Sequence, residues 1–173
     1  MTAGDVLHPC AADALRPIWS KLRRDNLPYL SAMSWMPPGD PELAARWIAE
    51  RADDHVFTAG APEPAGVAAL LWWHQRMRRI QVVVLIADEG WRVLGQRALG
   101  ELHQLAFDSL NLERCEWLVP EDWPAARQAA DAAGYRLEAT FPNALAGGGR
   151  RRALLLYGLL SDEWRAAVGH ERD

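Results

Sequence analysis

The stretch "RRIQVVVLIADEGWRVLGQRALGELHQLAFDSLNLERCEWLVP" limits what this 173-residue chain can fold into more than any other. Its opening is β-branched and nearly continuous in apolar residues, the pattern of a strand covered on both faces. Its middle changes period. From Leu94 to Leu110 the residues Ala98, Leu102, Leu105, Ala106 and Leu110 return as the apolar stripe of an amphipathic helix. Its close, "RCEWLVP", is a strand again. A chain that alternates in this way needs a sheet with helices packed on it.

The flanks extend the pattern. Ala11 to Arg24 reads as a helix with Leu15, Ile18, Trp19 and Leu22 on one face. Pro28, Pro37, Pro38 and Gly39 break the segment that follows. Asp40 and Pro41 then start a second helix, to about Arg51, with Asp40 as N-cap and Leu43, Trp47 and Ile48 facing inward. "HVFTAG" and "AGVAALLWWH" are strands, the second separated from the next strand by "QRM". After "RCEWLVP", Asp122 is the expected cap of another helix, with Pro124 in its first turn and Gly134 just past its end. "YRLEATFPNAL", the hinge "AGGG" and "RRRALLLYGLL" make a closing hairpin, and "SDEW" begins a terminal helix. The expected class is therefore α+β, a mixed α/β sheet in one domain spanning residues 1–173.

Composition narrows function mainly by exclusion. The net charge of −4 argues against a nucleic-acid binder, and the short basic runs at Arg23–Arg24 and Arg150–Arg152 read as solvated faces. Cys10 and Cys115 lack CxxC spacing, so they predict thiols in a reducing cytoplasm, with no zinc site. No signal pattern opens the sequence, and no apolar run approaches the roughly 20 residues of a membrane span. Most of the nine tryptophans are expected in the core, and a few are candidates for lining a cleft, because indole combines a large apolar area with one donor.

Four stretches carry a likeness to a known family. "DNLPYLSAMSWM", "LIADEGWRVLGQRAL" with "LAFDSLNLERCEW", "DAAGYRLEAT" and "LLLYGLLSDEW" stand in the order and spacing of the GNAT acyl-CoA-dependent N-acyltransferases, and the chain resembles their Rim-type branch over roughly residues 20 to 165. The resemblance implies a central, mostly antiparallel sheet in which one parallel strand pair splays apart, with flanking helices. It implies acetyl-CoA or another acyl-CoA as co-substrate and no metal. The pantetheine would pair with the backbone of Val84, Leu85 and Ile86, as an added strand does. The pyrophosphate would rest on the amides of the loop Gly90, Trp91, Arg92, Val93, Leu94, Gly95 and Gln96, where a helix begins.

The loop departs from the family's pattern. Gly90 falls at a Gln/Arg position, Val93 at the first glycine and Gly95 at the second, so only Gly95 matches. Val93 is β-branched and resists φ > 0, while Arg92 offers charge to a phosphate. In the next helix Trp123 takes the place of an asparagine and Ala126 that of a serine. The tyrosine that many relatives use as general acid has no counterpart. Trp123 would then stack on a ligand or plug the channel.

His74 and Glu116 are the candidate catalytic bases, His74 at a strand end and Glu116 on the strand at the splay. The structural alternatives are a surface histidine and an ion-paired glutamate. Tyr29, Trp35 and Met36 fall where Rim-type relatives build the acceptor pocket, and Trp73 is a candidate to join them. The resemblance leads to an N-acyltransferase acting on an amine of a protein N-terminus, a peptide or a small molecule, with a homodimer as a candidate assembly. The alternative class is a non-catalytic GNAT-fold protein that binds a ligand or partner through a remodelled site.

Overall fold

In the computed structural model, residues 6–10, 13–14, 16–22, 43, 55–60, 63–86, 91–147 and 149–170 are described. Among them a seven-stranded sheet forms the centre. Its strands are β1 (Leu7–Pro9), β2 (His55–Ala59), β3 (Gly66–His74), β4 (Arg79–Ile86), β5 (Arg114–Pro120), β6 (Arg136–Gly147) and β7 (Arg150–Leu160), in the spatial order β1-β2-β3-β4-β5-β7-β6. Neighbours run antiparallel except β4 and β5, which are parallel. That pair needs a crossover, and the amphipathic helix supplies it.

Helix α1 comprises residues 16–22. Helix α2 (Gln96–Gln104) is the crossover, and it is entered and left through π-helical turns, Trp91–Gly95 and Leu105–Ser109. It stops where Asn111 takes φ 51° and the Leu112 N–H donates to the Ala106 carbonyl at 2.9 Å. This is a left-handed cap in which asparagine stands in for glycine. Helix α3 (Pro124–Ala132) ends at Gly134, whose φ of 83° is easy only for glycine. Helix α4 (Ser161–His170) closes the described chain.

The period-2 alternation of the strands divides the core into two faces. Ile80, Val82, Val84 and Ile86 of β4, Cys115, Trp117 and Val119 of β5, and Leu155, Tyr157 and Leu159 of β7 are buried in one cluster. They share it with Ala98, Leu102 and Phe107 of the crossover and Ala126, Ala129 and Ala130 of α3. The second face carries Ala69, Leu71, Val83 and Leu85 in one cluster, and Val67 under Trp19 and Leu22 of α1 in another. Each fully buried Leu, Ile or Val of this kind contributes about 1.5–3 kcal/mol.

Three expectations need correction. Strand β1 was not foreseen, because a three-residue strand carries no periodicity. It is pinned by the Glu101 carboxylate of α2, which accepts the N–H groups of Val6 at 2.6 Å and Leu7 at 2.9 Å. Asp122 does not cap α3. Trp123 occupies the N-cap, its side chain making no capping hydrogen bond, and the Asp122 carboxylate is drawn instead to Arg150 and Arg152. The run Arg150–Arg152 is not wholly solvated, since Arg152 is only 5 % exposed. The helix expected at 40–51 lies outside the described residues except for Leu43, which is helical and half-exposed.

Candidate active site

The parallel strands β4 and β5 do not stay together. Their pairing runs from Arg79↔Arg114 to Val82↔Trp117 and stops there. β4 continues to Ile86, held on its outer side by β3 from Ala69↔Val83 to Gly66↔Ile86. β5 continues to Pro120, held by β7 from Leu118↔Leu156 to Pro120↔Leu154. Past Val82 and Trp117 each strand is tied outward and no ladder joins the two. The result is a wedge whose walls are strand backbone. Val84, Leu85 and Ile86 line one wall, and their side chains are fully buried in the two core faces. What this wedge offers a ligand is therefore main-chain N–H and C=O groups, the requirement for adding an extended amide chain.

At the mouth of the wedge the π turn Trp91–Gly95 opens the crossover helix and lies against α3. Val93 is 66 % exposed and does not have positive φ; Gly95 is buried and right-handed at φ −62°. The turn thus winds in a hand that valine accepts, and the strain expected at Val93 does not arise. A single π turn inside a helix is uncommon and is frequent at functional sites. Leu94 is half-buried against the core, and Gln96 is exposed. Gly90 lies outside the described residues, as do the side chains of Trp91 and Arg92.

Trp123 follows the end of β5 and stands as the N-cap of α3. It is half-buried and packs against both the helix-covered core and the second-face cluster of Ala69, Leu71, Val83 and Leu85. Trp123 thus packs against the clusters of both core faces, close in sequence to the point where β5 ends. Its N–H group on the main chain donates to the Pro120 carbonyl at 3.1 Å, which fixes the turn between β5 and α3. Ala126 is completely buried beneath this turn in the first core.

Glu116 stands at the base of the wedge, opposite Gln81 and one row before the last paired row. It shares the second face with Arg79, Gln81 and Leu118. Its carboxylate accepts from Arg79 Nη1, 3.1 Å to each oxygen, and from Arg114 Nε at 2.9 Å. Arg114 also grips Glu138 through both terminal nitrogens. That forked bond is the main reason why the Arg114 guanidinium is pushed up and the Glu138 carboxyl down from their ordinary values. Beside Glu116, Gln81 Nε2 is buried with no hydrogen-bond partner.

His74 is placed elsewhere. It pairs with Arg79 at the other end of β4, three residues or roughly 10 Å from the last paired row. Its Nδ1 accepts the Met77 N–H at 3.3 Å and caps the turn Gln75–Met77. Trp73 precedes it, 46 % exposed, where the β3–β4 register shifts and Trp72 takes φ 55°. The structure therefore gathers Val84, Leu85, Ile86, the turn Trp91–Gly95, Trp123 and Glu116 near one end of the β4–β5 pair and leaves His74 and Trp73 at the far hairpin. Tyr29, Trp35 and Met36 lie outside the described residues. A groove of about 370 Å³ opens between α2, the end of α3 and α4, lined by Gln96, Gly100, His103, Asp131, Gly134 and Trp164. It shares only Gln96 with the residues expected at the wedge.

The sequence reading passes over Gln81, takes Asp122 for a helix cap and takes Arg152 for part of a solvated face. Strand alternation held part of the signal: in "RRRALLLYGLL" the positions 150, 152, 154 and 156 share a face, so Arg150 and Arg152 stand on the side of Leu154 and Leu156, and Arg152 is the one nearer the middle of the strand.

No family model and no curated protein matches the chain. Solved structures do. The spermidine/spermine N-acetyltransferase SpeG from Vibrio cholerae is 16 % identical, with a TM-score of 0.78 over 94 % of this chain and 96 % of that one. A probable acetyltransferase is 21 % identical, with a TM-score of 0.75 over 91 % and 93 %. A candidate ribosomal-protein-serine acetyltransferase from Vibrio cholerae is 18 % identical, with a TM-score of 0.71 over 92 % and 95 %. At these identities the likeness establishes the fold. The chain has the GNAT fold, a mixed sheet with one parallel pair and helices on its faces.

Proposed function

We propose that the chain is an N-acyltransferase that holds acetyl-CoA or a related acyl-CoA in the wedge and passes its acyl group to an amine. The observation that carries this reading is the end of β4–β5 pairing at Val82 and Trp117 while both strands run on. When bound, the thioester supplies an activated acyl carbon: the amine nitrogen forms the C–N bond, the C–S bond breaks, and the amine's proton leaves. The chain's part is placement, which by itself supplies a large share of such a rate.

The backbone of Val84, Leu85 and Ile86 would hold the pantetheine, and the amides from Trp91 to Gln96 its phosphates. The first face of the sheet is sealed by helices, so the amine arrives over the second face, where Arg114, Glu116 and Leu118 are only half-buried. Glu116 is the carboxylate at the wedge base on that face, oriented by Arg79 and Arg114, and takes the amine's proton through water. The setting that fits is the cytoplasm, where acyl-CoA and reduced cysteines coexist.

Trp123 supports a second reading, a protein whose wedge is permanently plugged. Calorimetric titration of acetyl-CoA into wild type and Trp123→Ala separates the two. Micromolar binding by wild type, with acyl transfer to members of an amine panel, is the expected result. Binding by Trp123→Ala alone would establish the plug. Binding by neither variant at millimolar concentration refutes the acyltransferase.

A further inference from the structure

Arg152 lies on β7 and is nearly withdrawn from solvent. Its Nη1 donates to Asp122 Oδ2 at 2.9 Å, and the same oxygen accepts from Arg150 Nη2 at 3.0 Å. Two guanidinium groups thus share one carboxylate oxygen, with the Glu121 carboxylate beside them accepting the Ala153 N–H at 2.7 Å. Among the described residues Arg152 Nε and Nη2, both buried, have no hydrogen-bond partner. These two nitrogens are not a random pair. Their N–H bonds point the same way along one edge of the planar guanidinium, the edge that takes a carboxylate or phosphate in a two-bond fork. Asp122 uses the other nitrogen. A complete anion-binding edge is therefore set in place and unmet, in a setting where buried donors are nearly always paired.

Its position says whose anion it is. Leu155, Tyr157 and Leu159 point into the helix-covered core, so Arg152, Leu154 and Leu156 point to the second face. That is the face over which the amine arrives. Leu156 pairs with Leu118, the first β5 residue past the base of the wedge. Arg152 is four residues further along β7, roughly 13 Å.

We propose that Arg152 is a specificity residue that forks an anionic group, a carboxylate or phosphate, carried by the acceptor itself. The acceptor class is then an amine with an anion up to roughly 13 Å away along an extended molecule, such as a short peptide or an aminoacyl compound. A polyamine, which has only cations, does not fit. The inference rests on the acyltransferase reading for the identity of the amine, while the anion site itself stands on Arg152.

The test is a binding measurement that needs no turnover. N-acetyl-trialanine with a free carboxylate, its C-terminal amide and inorganic phosphate are titrated into wild type, Arg152→Lys and Arg152→Gln at fixed pH and ionic strength. Wild type is expected to bind the carboxylate at least tenfold tighter than the amide. Arg152→Lys, a point charge without a fork, loses most of that ratio, and Arg152→Gln loses all of it. Competition by phosphate assigns the site to phosphate-bearing acceptors as well; indifference to phosphate restricts it to carboxylates. Melting curves and acetyl-CoA titration on the same samples separate a folding defect from a lost contact. If a variant fails to fold, the wild-type ratio and its collapse at high salt decide. Discrimination below twofold in wild type, or a ratio that survives in a folded Arg152→Gln, overturns the proposal. Failure of acetyl-CoA to bind while the ratio holds would remove the acyltransferase reading and leave the anion site standing.

Discussion

His103 makes the protein's stability depend on pH in a way that can be calculated. The imidazole sits on the inner side of α2, completely buried, with Nε2 at 2.8 Å from the Tyr135 hydroxyl and the Phe107 and Tyr135 rings beside it. Burial penalises the charged ring and holds its pKa down to about 3, against 6.5 for the free side chain. The folded state therefore stays neutral where the unfolded chain takes up a proton. The stabilising effect is complete above pH 6.5 and is lost as the pH falls from there toward 3. Each pH unit in that window costs about 1.4 kcal/mol. Between pH 7.5 and pH 5.0 the loss is about 2 kcal/mol, a large fraction of an ordinary domain's stability. Urea unfolding at the two pH values measures it in wild type and in His103→Gln, whose amide can still meet the tyrosine hydroxyl but does not titrate. The difference of differences removes every other group that titrates alike in both proteins. A wild-type loss exceeding that of His103→Gln by about 2 kcal/mol is expected. Equal losses in the two, or an NMR titration of His103 near pH 6, would refute the reasoning.

Two further substitutions test the frame around the wedge. Gly66 faces Ile86 at the end of β4, and a Cβ there would stand 2.7 Å from the Leu85 carbonyl oxygen and in collision with Ile86 Cδ1. Since the carbonyl is backbone, Gly66→Ala has to shift β3 against β4; calorimetric melting should show a loss of roughly 1–3 kcal/mol. Asp122→Ala strips Arg152 of its one partner while leaving it buried, at a cost of roughly 3 kcal/mol in urea unfolding. Adding Arg152→Met should recover most of that loss, because the orphaned charge is then gone. Failure to recover would mean that Asp122 acts through the turn and not through the ion pair.

How much of this was legible in the sequence follows from the range of the forces involved. Burial writes itself into periodicity, so β3, β4, β5, the crossover helix and the closing hairpin could be read nearly to the residue from "GVAALLWWH", "VVVLI", "RCEWLVP" and the stripe from Ala98 to Ala106. Partner choice between distant segments leaves no such trace. Asp122 has the composition of an N-cap and stands beside the right proline, yet two arginines some thirty positions away compete for its oxygens and win. Glu101 looks like any solvent-facing helix residue, but it holds the first strand. At the loop, valine in place of glycine suggested strain because the expected backbone required positive φ. The chain removes that requirement by winding the segment as a π turn, a change of hydrogen-bond register that no single residue announces.

The wedge itself poses an energetic problem that favours a ligand over a plug. Two strand edges face one another past Val82 and Trp117 with no ladder between them. A buried edge without partners is costly, because nearly every interior main-chain N–H and C=O is hydrogen-bonded. Trp123 answers only part of that cost. It packs against the apolar clusters of both faces, but its indole brings a single N–H donor and no acceptor. Along Val84 to Ile86 alternate residues turn both main-chain groups toward β3 or toward the wedge, and the donors and acceptors on the wedge side suit an extended chain of amides, which an indole does not match. Trp123 therefore suits the role of a cover that a ligand displaces and then stacks against. On this argument Trp123→Ala should tighten acetyl-CoA binding by removing the cover, while shortening its residence time by removing the stacking surface. Stopped-flow association and dissociation rates read the two effects separately.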